Sequence, residues 1–251
     1  MDLDDLKAEL DKLSPIKIAF VAQVVDSLAH PPRSDIQAPD TWITGSPDWM
    51  EYFGLALSVH HAATTEPLQL TAFETVFRNA CTAAGWSSDA PGSATQRFLD
   101  MEVVPDDGVR RRLSLKSTAA KRLGKTTAHI SKLTEAAWVQ DVRMPTARRS
   151  AVRDLFQAYR EAVDSIVMLR AFRDEGSVSR YELLEIPVAL FDSVHDAPLS
   201  DFQSDAPLIV CTRDGSPVAT IAVDRSDAKI TVRKISLDAC VVHAEWTRTT
   251  G

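Results

Sequence analysis

Residues 96–121, QRFLDMEVVPDDGVRRRLSLKSTAAK, predict two β-strands joined by a tight turn. The DDG triplet that ends at Gly108 is typical of a three-residue hairpin loop in which the glycine adopts the left-handed conformation. In that register Asp100 lies opposite Ser114, and Lys116 follows two residues later on the same face, within diagonal reach of Asp100. A loop of two or four residues would turn Lys116 to the opposite face.

The paired Asp100 and Lys116 are the groups that metal-assisted phosphodiester hydrolysis needs. A carboxylate offers Mg²⁺ the hard oxygen ligands it prefers, and an ammonium group can orient or help deprotonate a water and stabilise charge on a phosphate. Because one carboxylate rarely suffices for Mg²⁺, Glu102 on the same strand face and Glu74 on the preceding predicted helix are further candidate ligands. A partly buried Asp100–Lys116 salt bridge without any chemistry is the alternative at this point.

The charge of the chain is strongly segregated along the sequence. Residues 108–153 contain twelve Lys and Arg against two acidic residues, a net charge of +10, although the whole chain carries −7. The remainder therefore holds sixteen basic and thirty-three acidic residues, a net charge of −17. A basic island of this kind favours a polyanionic partner such as DNA, while a solvated basic face without a ligand is the alternative.

The remaining patterns predict a mixed α/β chain that forms one domain over residues 1–251, with a helical N-terminal region (1–56) and a core with a β-rich C-terminal part (57–251). We predict a long loop over residues 31–49 and strands over 178–186 and after residue 207. Helices are predicted over 2–13, 15–30, 49–58, 67–85, about 118–139 and from about 146. The latter part of the last pattern, SIVMLRAFR (165–173), could equally be a strand.

Two classes of protein are disfavoured by composition. No apolar run approaches the roughly 18 residues that a membrane span requires, and the N-terminus MDLDDLKAEL is acidic, unlike a signal peptide. We therefore expect a cytoplasmic protein with no membrane partner. Cys81, Cys211 and Cys240 are far apart and form no CxxC pair, so neither a disulfide framework nor a zinc site is predicted.

Five blocks of the sequence resemble the SmaI family of type II restriction endonucleases, a branch of the PD-(D/E)xK nuclease superfamily. They occur in the same order over most of the chain, which is more specific than the loose D…xK pattern alone. The blocks are HHAATTEPLQLTAFETVF (60–77), RFLDMEV (97–103), LSLKSTAAKRLGKTTAHISK (113–132), YELLEIP (181–187) and CVVHAEW (240–246).

The resemblance implies a restriction-endonuclease-like fold, a central mixed β-sheet flanked by helices. It also implies a homodimeric, Mg²⁺-dependent enzyme that cuts both strands of double-stranded DNA at a short palindromic G·C-rich site, CCCGGG or similar. A DNA methyltransferase of the same restriction-modification system would protect the host genome without needing direct contact. Carried onto this chain, the family's metal-binding aspartate is Asp100, its helix glutamate is Glu74 and its catalytic lysine is Lys116.

One position departs from the superfamily pattern. The superfamily places Asp or Glu two residues before the lysine, where this chain has Ser114, so that Glu74 or Glu102 would have to supply the missing oxygen. The serine also motivates an alternative function, a sequence-specific DNA-binding protein that has lost cleavage. A second alternative is a related nuclease of repair or of mobile elements, with looser specificity.

The segment after the lysine resembles the family's DNA-facing helix. Lysine and histidine side chains recur there at spacings of four, four and three, which would align them on one helix face. Such side chains contact phosphates and read guanine edges in the major groove. The DNA-binding candidates are Lys121, Arg122, Lys125, His129, Ser131, Lys132 and Arg112.

Overall fold

The computed structural model describes residues 2–89, 97–120 and 122–248, and within these ranges it contains five α-helices and eleven β-strands. The helices are α1 (Leu3–Leu10), α2 (Pro15–Ala29), α3 (Pro47–Ala63), α4 (Leu70–Ala83) and α5 (Pro145–Ala162). The strands are β1 (Arg33–Ile36), β2 (Ser87–Asp89), β3 (Met101–Val104), β4 (Arg111–Thr118), β5 (Thr127–Glu135), β6 (Ser165–Asp174), β7 (Ser177–Pro187), β8 (Leu208–Arg213), β9 (Ser216–Asp224), β10 (Lys229–Ser236) and β11 (Val241–Thr247).

The strands form one large sheet and one small sheet. The large sheet has seven strands in the order β1-β11-β7-β6-β4-β3-β2, and β4 and β6 run parallel while the other neighbours run antiparallel. The small sheet is antiparallel, in the order β5-β10-β9-β8. The mixed central sheet with helices against it confirms the predicted fold class.

Side chains along β4 alternate between the two faces of the large sheet, and only one set enters the core beneath α3 and α4. Leu113 and Leu115 are fully buried among side chains of α3 and α4. Because side chains alternate along a strand, Ser114 and Lys116 point to the other face. Their ladder partners on β6 belong to a second apolar cluster, which is built with α5 and the small sheet. The two clusters therefore share the large sheet.

The helical prediction over about 118–139 is wrong. The chain leaves β4 at Thr118, passes through an irregular connection and enters β5, with a short 3-10 turn over Ala137–Gln140. Ala128 and Ile130 are buried whereas His129 and Ser131 are exposed, which is the two-residue period of a strand. Pairing with β10, about a hundred residues later in the chain, overrides the local four-residue spacing of the charges.

Two smaller differences concern the N-terminal region. The segment predicted as a loop over 31–49 contains β1, which pairs with β11 at the edge of the large sheet. Helix α3 runs across the predicted boundary at residue 56, and its buried Trp49, Phe53 and Leu57 belong to the core. Among the described residues, no helix combines the length and the apolar character that a membrane crossing requires.

Candidate active site

The hairpin formed by β3 and β4 has the predicted register. Met101 pairs with Leu113, and the backbone N–H of Asp100 donates to the carbonyl oxygen of Leu113 at 2.9 Å. Gly108 has a φ of +70°, the left-handed conformation expected at the end of the DDG loop. The turn chemistry thus brings Asp100 and Lys116 to one face of the sheet.

Asp100 is held by three donors that all reach the same oxygen. Its Oδ2 accepts from the backbone N–H of Leu115 at 2.7 Å, from Oγ of Ser114 at 3.0 Å and from Nζ of Lys116 at 3.5 Å. These contacts fix the carboxylate and leave Oδ1 outside their reach. Ser114 therefore orients the aspartate in place of the second acid of the superfamily pattern.

We call the partly exposed surface around Asp100 and Lys116 the cleft. The side chains of Asp100 and Lys116 are 31% and 19% exposed. At a separation of 3.5 Å and with this exposure, the pair contributes little to stability. A purely structural salt bridge is therefore a poor explanation for it, and a phosphate or a hydrated ion has a path to both groups.

Helix α4 brings a second carboxylate to this cleft. Burial raises the pKa of Glu74, the nearby charge of Asp100 raises it further, and Lys116 and Arg78 lower it. Glu74 therefore lies within electrostatic range of Asp100, Lys116 and Arg78. Arg78 was not predicted, although its position four residues after Glu74 places it on the same helix face.

The other two residues predicted on the hairpin face are engaged elsewhere. Glu102 pairs with Arg110 at 3.2 Å. Arg112 holds Asp164 through two nitrogens, at 2.7 Å and 3.2 Å, so its guanidinium is occupied within the protein. Glu102 is thus engaged by Arg110, whereas Glu74 lies within electrostatic range of Asp100 and Lys116, which favours Glu74 of the two candidate ligands.

No group of three His, Cys, Asp or Glu side chains within residues 2–89, 97–120 and 122–248 is arranged to hold a metal ion by itself. Two neighbouring carboxylates nevertheless match Mg²⁺, which is commonly bound by one or two carboxylates together with water and substrate phosphate. The raised pKa of Glu74 fits this view, because the carboxylates of Glu74 and Asp100 repel each other and a cation would relieve that repulsion.

The connection between β4 and β5 carries basic side chains directly after the candidate site. Arg122 and Lys125 are exposed, and neither has an ion pair among the described residues, whereas the predicted DNA contact Lys121 lies outside those residues. Arg170 of β6, which is 1% exposed, donates to the carbonyl oxygen of Gly124 and pairs with Glu182 at 2.5 Å. This buried pair anchors the connection to the large sheet.

The residues predicted on the basic helix are spread over strand β5. His129 and Ser131 point outward, and Lys132 pairs with Glu135 at 2.7 Å. Burial lowers the pKa of His129, and the neighbouring charge of Arg233 lowers it further. Arg233, on the partner strand β10, is thus a basic neighbour that the sequence alone could not place here.

Among the described residues, six of the eleven basic side chains in the island are used in ion pairs within the protein. The pairs are Arg110–Glu102, Arg111–Asp107, Arg112–Asp164, Lys116–Asp100, Lys132–Glu135 and Arg148–Asp205. The positive surface is therefore smaller than the sequence suggested, and it is divided between the β4–β5 connection and the region of α5.

His61 and His243 are held by hydrogen bonds within the protein. The Nε2 of His61 lies 2.9 Å from the hydroxyl of Tyr181, and its Nδ1 lies 2.9 Å from the carbonyl oxygen of Thr64. Burial lowers the pKa of His61 to about 4, so that the ring is neutral near pH 7. His243 is buried between Thr41 and Glu185, as expected for a hydrogen-bonded core histidine.

Comparison with known proteins agrees with the resemblance read from the sequence. The profile of the SmaI family, described as "Type II site-specific deoxyribonuclease", matches residues 6–248. The type II restriction enzyme SmaI of Serratia marcescens is 25% identical over 209 residues, which cover 79% of each chain.

A solved structure also aligns with the chain, but only weakly. It is the restriction endonuclease MspI in complex with its cognate DNA, at 9% identity and a TM-score of 0.23, and the alignment covers 88% of this chain and 99% of that one. So low a score supports no conclusion about the site. The match to the family profile spans nearly the whole chain, including all five blocks that carried the resemblance. The chain belongs to the SmaI family of type II site-specific deoxyribonucleases.

Proposed function

We propose that this chain cuts both strands of duplex DNA at a short palindromic G·C-rich site, CCCGGG or similar, in a reaction that depends on Mg²⁺. The observation that carries the proposal is the cleft in which Asp100, Glu74 and Lys116 are neighbours on a solvent-accessible face of the sheet. Family membership supplies the reaction class, and the cleft supplies groups that suit it.

Asp100 and Glu74 would hold the metal ion. When bound, Mg²⁺ polarises the scissile phosphate and lowers the pKa of a coordinated water. Asp100 contributes Oδ1, because Leu115, Ser114 and Lys116 already occupy Oδ2. Donors that fix a ligating carboxylate in this way strengthen metal binding by keeping it oriented before the ion arrives.

Lys116 has two tasks in this proposal. Its ammonium group can donate to a non-bridging phosphate oxygen and so stabilise the negative charge that builds up during hydrolysis. It can also orient the attacking water from the same position, because it has three donors and only the weak 3.5 Å contact to Asp100. Its partial burial strengthens both effects by excluding competing water.

The β4–β5 connection and strand β5 would contact the DNA backbone and bases. Arg122 and Lys125 follow the strand of Lys116 closely enough to contact phosphates that flank the scissile one. His129, Ser131 and the neighbouring Arg233 lie on the exposed face of β5 and β10, two strands of the small sheet, and strands can enter a groove of B-DNA. These two strands would take the role that the sequence predicted for a helix.

A palindromic target calls for a two-fold symmetric protein, and an apolar surface supports a homodimer. Helices α1 and α2 contain no buried residue. They carry seven of the thirteen large hydrophobic side chains that are exposed among the described residues: Leu3, Leu6, Ile16, Ile18, Phe20, Val25 and Leu28. The two helices, about 12 and 22 Å long and about 10 Å wide, offer a footprint of about 340 Å², so that an interface of about 800 Å² per partner would also include surface beside them.

Light scattering tests this interface. The wild type should be a dimer at micromolar concentration, and Ile18→Glu combined with Val25→Glu should raise the dimer dissociation constant at least about tenfold, since each change buries a charge in an apolar contact. Leu208→Glu on β8, another exposed hydrophobic position, is the matched control and should leave the dimer intact. A double variant that remains fully dimeric would rule out this surface.

The proposed activity is tested by incubating the purified protein with phage DNA and Mg²⁺. Discrete fragments, whose ends also give the recognition sequence and the cut position, support a restriction endonuclease. Binding without fragments would favour a DNA-binding protein that has lost cleavage, the alternative motivated by Ser114, and smears or nicks would favour a nuclease of looser specificity. In the cell, such an activity requires a companion DNA methyltransferase to protect the genome.

A further inference from the structure

A buried tyrosine lies directly beneath the candidate active site. Tyr159 of α5 is fully buried, and its ring packs against that of Phe98, with the ring centres 5.0 Å apart. Its hydroxyl is buried too, and it has no hydrogen-bond partner of ordinary geometry among the described residues. A buried hydroxyl in this state is costly, and phenylalanine would fill the same space without it.

The neighbours of this hydroxyl are residues of the cleft. Burial raises the pKa of Tyr159, the proximity of Ser114 opposes that rise, and the charge of Asp100 adds to it. Ser114 is itself buried and donates to Oδ2 of Asp100 at 3.0 Å. A serine oxygen that donates one hydrogen bond still has lone pairs to accept another, so the oxygen of Ser114 is the acceptor available to the Tyr159 hydroxyl.

The ring of Tyr159 also supports the segment that leads into Asp100. Phe98, two residues earlier, has a φ of +75°, a left-handed backbone conformation that is strained for a bulky residue. Such a conformation persists only where packing holds it. Tyr159 covers one side of the Phe98 ring, and the guanidinium of Arg97 lies 4.5 Å from the ring centre.

We propose that Tyr159 is a positioning residue for Asp100: its hydroxyl supports the Ser114–Asp100 hydrogen bond and its ring holds Phe98, so that Oδ1 of Asp100 faces the metal ion. The inference rests on the proposed function and adds a residue of α5, on the sheet face to which Ser114 points. It also gives Ser114 a defined task, as a link between Tyr159 and the ligand instead of a ligand itself.

The test measures metal binding separately from cleavage. Mn²⁺ affinity of the DNA-free protein, measured by electron paramagnetic resonance, should fall about tenfold in Tyr159→Phe and in Ser114→Ala, the size typical for loss of a group that orients a metal ligand. Because both act through one chain of hydrogen bonds, the double variant should bind no more weakly than the weaker of the two single variants. The Mg²⁺ concentration for half-maximal cleavage of phage DNA should rise in parallel.

Tyr181→Phe is the matched control. Tyr181 is also buried, but its hydroxyl bonds with His61 and with the backbone N–H of Leu68, away from the cleft. This variant should lower the melting temperature and leave Mn²⁺ affinity unchanged. If Tyr159→Phe does not fold, Ser114→Ala and Phe98→Leu decide the matter by the same measurement.

The outcomes separate this inference from the proposed function. Wild-type cleavage together with unchanged Mn²⁺ affinity in Tyr159→Phe, or additive losses in the double variant, would overturn the role of Tyr159 and leave the nuclease assignment intact. A wild type that neither binds Mn²⁺ nor cuts DNA would overturn the proposed function and this inference with it.

Discussion

The buried Arg170–Glu182 pair allows a quantitative test of how the β4–β5 connection is held. The two side chains are 1% and 7% exposed and 2.5 Å apart, and Arg170 also donates to the carbonyl oxygens of Gly124 and Thr127. Arg170→Leu leaves the carboxylate of Glu182 buried without its partner, which should lower the free energy of unfolding by about 3–5 kcal/mol. Glu182→Leu should lower the free energy of unfolding by a similar amount, because it leaves the guanidinium of Arg170 buried without its partner.

The double variant Arg170→Leu/Glu182→Leu removes both charges and should be more stable than either single variant. It loses only the hydrogen bonds to the connection, about 1 kcal/mol each, and two leucines recover part of the packing. Urea denaturation of the three variants measures the coupling, which should be about 2 kcal/mol or more. Trypsin should cleave the connection at Arg122 or Lys125 faster in the double variant, since its anchor is gone.

Additive losses would refute this reasoning, as would single variants that cost less than about 1 kcal/mol. Either result would mean that water or a rearranged side chain compensates the buried charge. Contacts other than those of Arg170 would then hold the connection in place.

Three further predictions concern the same region and one distant histidine. Arg122→Ala and Lys125→Ala should each weaken DNA binding about three- to tenfold, and each should reduce the slope of log K against log salt concentration by about one. Fluorescence anisotropy without divalent metal measures both effects. Unchanged slopes would exclude phosphate contacts by these side chains. Gly124→Ala places a Cβ 2.7 Å from the carbonyl oxygen of Thr127, so it should lower the free energy of unfolding by about 1–3 kcal/mol in the urea denaturation assay. An unchanged free energy would show that the backbone of the connection shifts to make room for the Cβ. Because the folded-state pKa of His61 is lowered to about 4, the unfolded chain binds a proton before the folded chain does as pH falls below 6.5. The free energy of unfolding of the wild type should therefore drop between pH 6.5 and 4 by about 1–2 kcal/mol more than that of His61→Gln. Parallel pH profiles of the two proteins would contradict this.

The hairpin was predictable because its register is decided locally. The DDG loop fixes the turn, the turn fixes the pairing, and period two then fixes the faces of Asp100 and Lys116. Glu74 followed from the helical period of α4. The hairpin register and helix α4 depend on contacts that are short in sequence, and the structure matches both, while the catalytic and metal-binding roles stay predictions.

The structure of the segment that we propose contacts DNA was not predictable in the same way. The spacing of Lys121, Lys125, His129 and Lys132 imitates a helix, but β5 exists because β10 supplies its ladder partners from about a hundred residues away. The same non-local pairing brings Arg233 beside His129. The roles of Arg170 and Tyr159 also depend on packing between distant segments, for which the sequence carries no local signal.

Cleavage and binding by Lys116→Ala, compared with the wild type on the same DNA, test the central claim most directly. The account predicts that the variant binds the DNA nearly as tightly as the wild type and loses cutting at saturating Mg²⁺ by at least about a thousandfold, or about 4 kcal/mol in the barrier. Asp100→Ala should behave alike, with weakened Mn²⁺ binding in addition. A Lys116→Ala protein that cuts at the wild-type rate would show that the chemistry takes place elsewhere in the molecule.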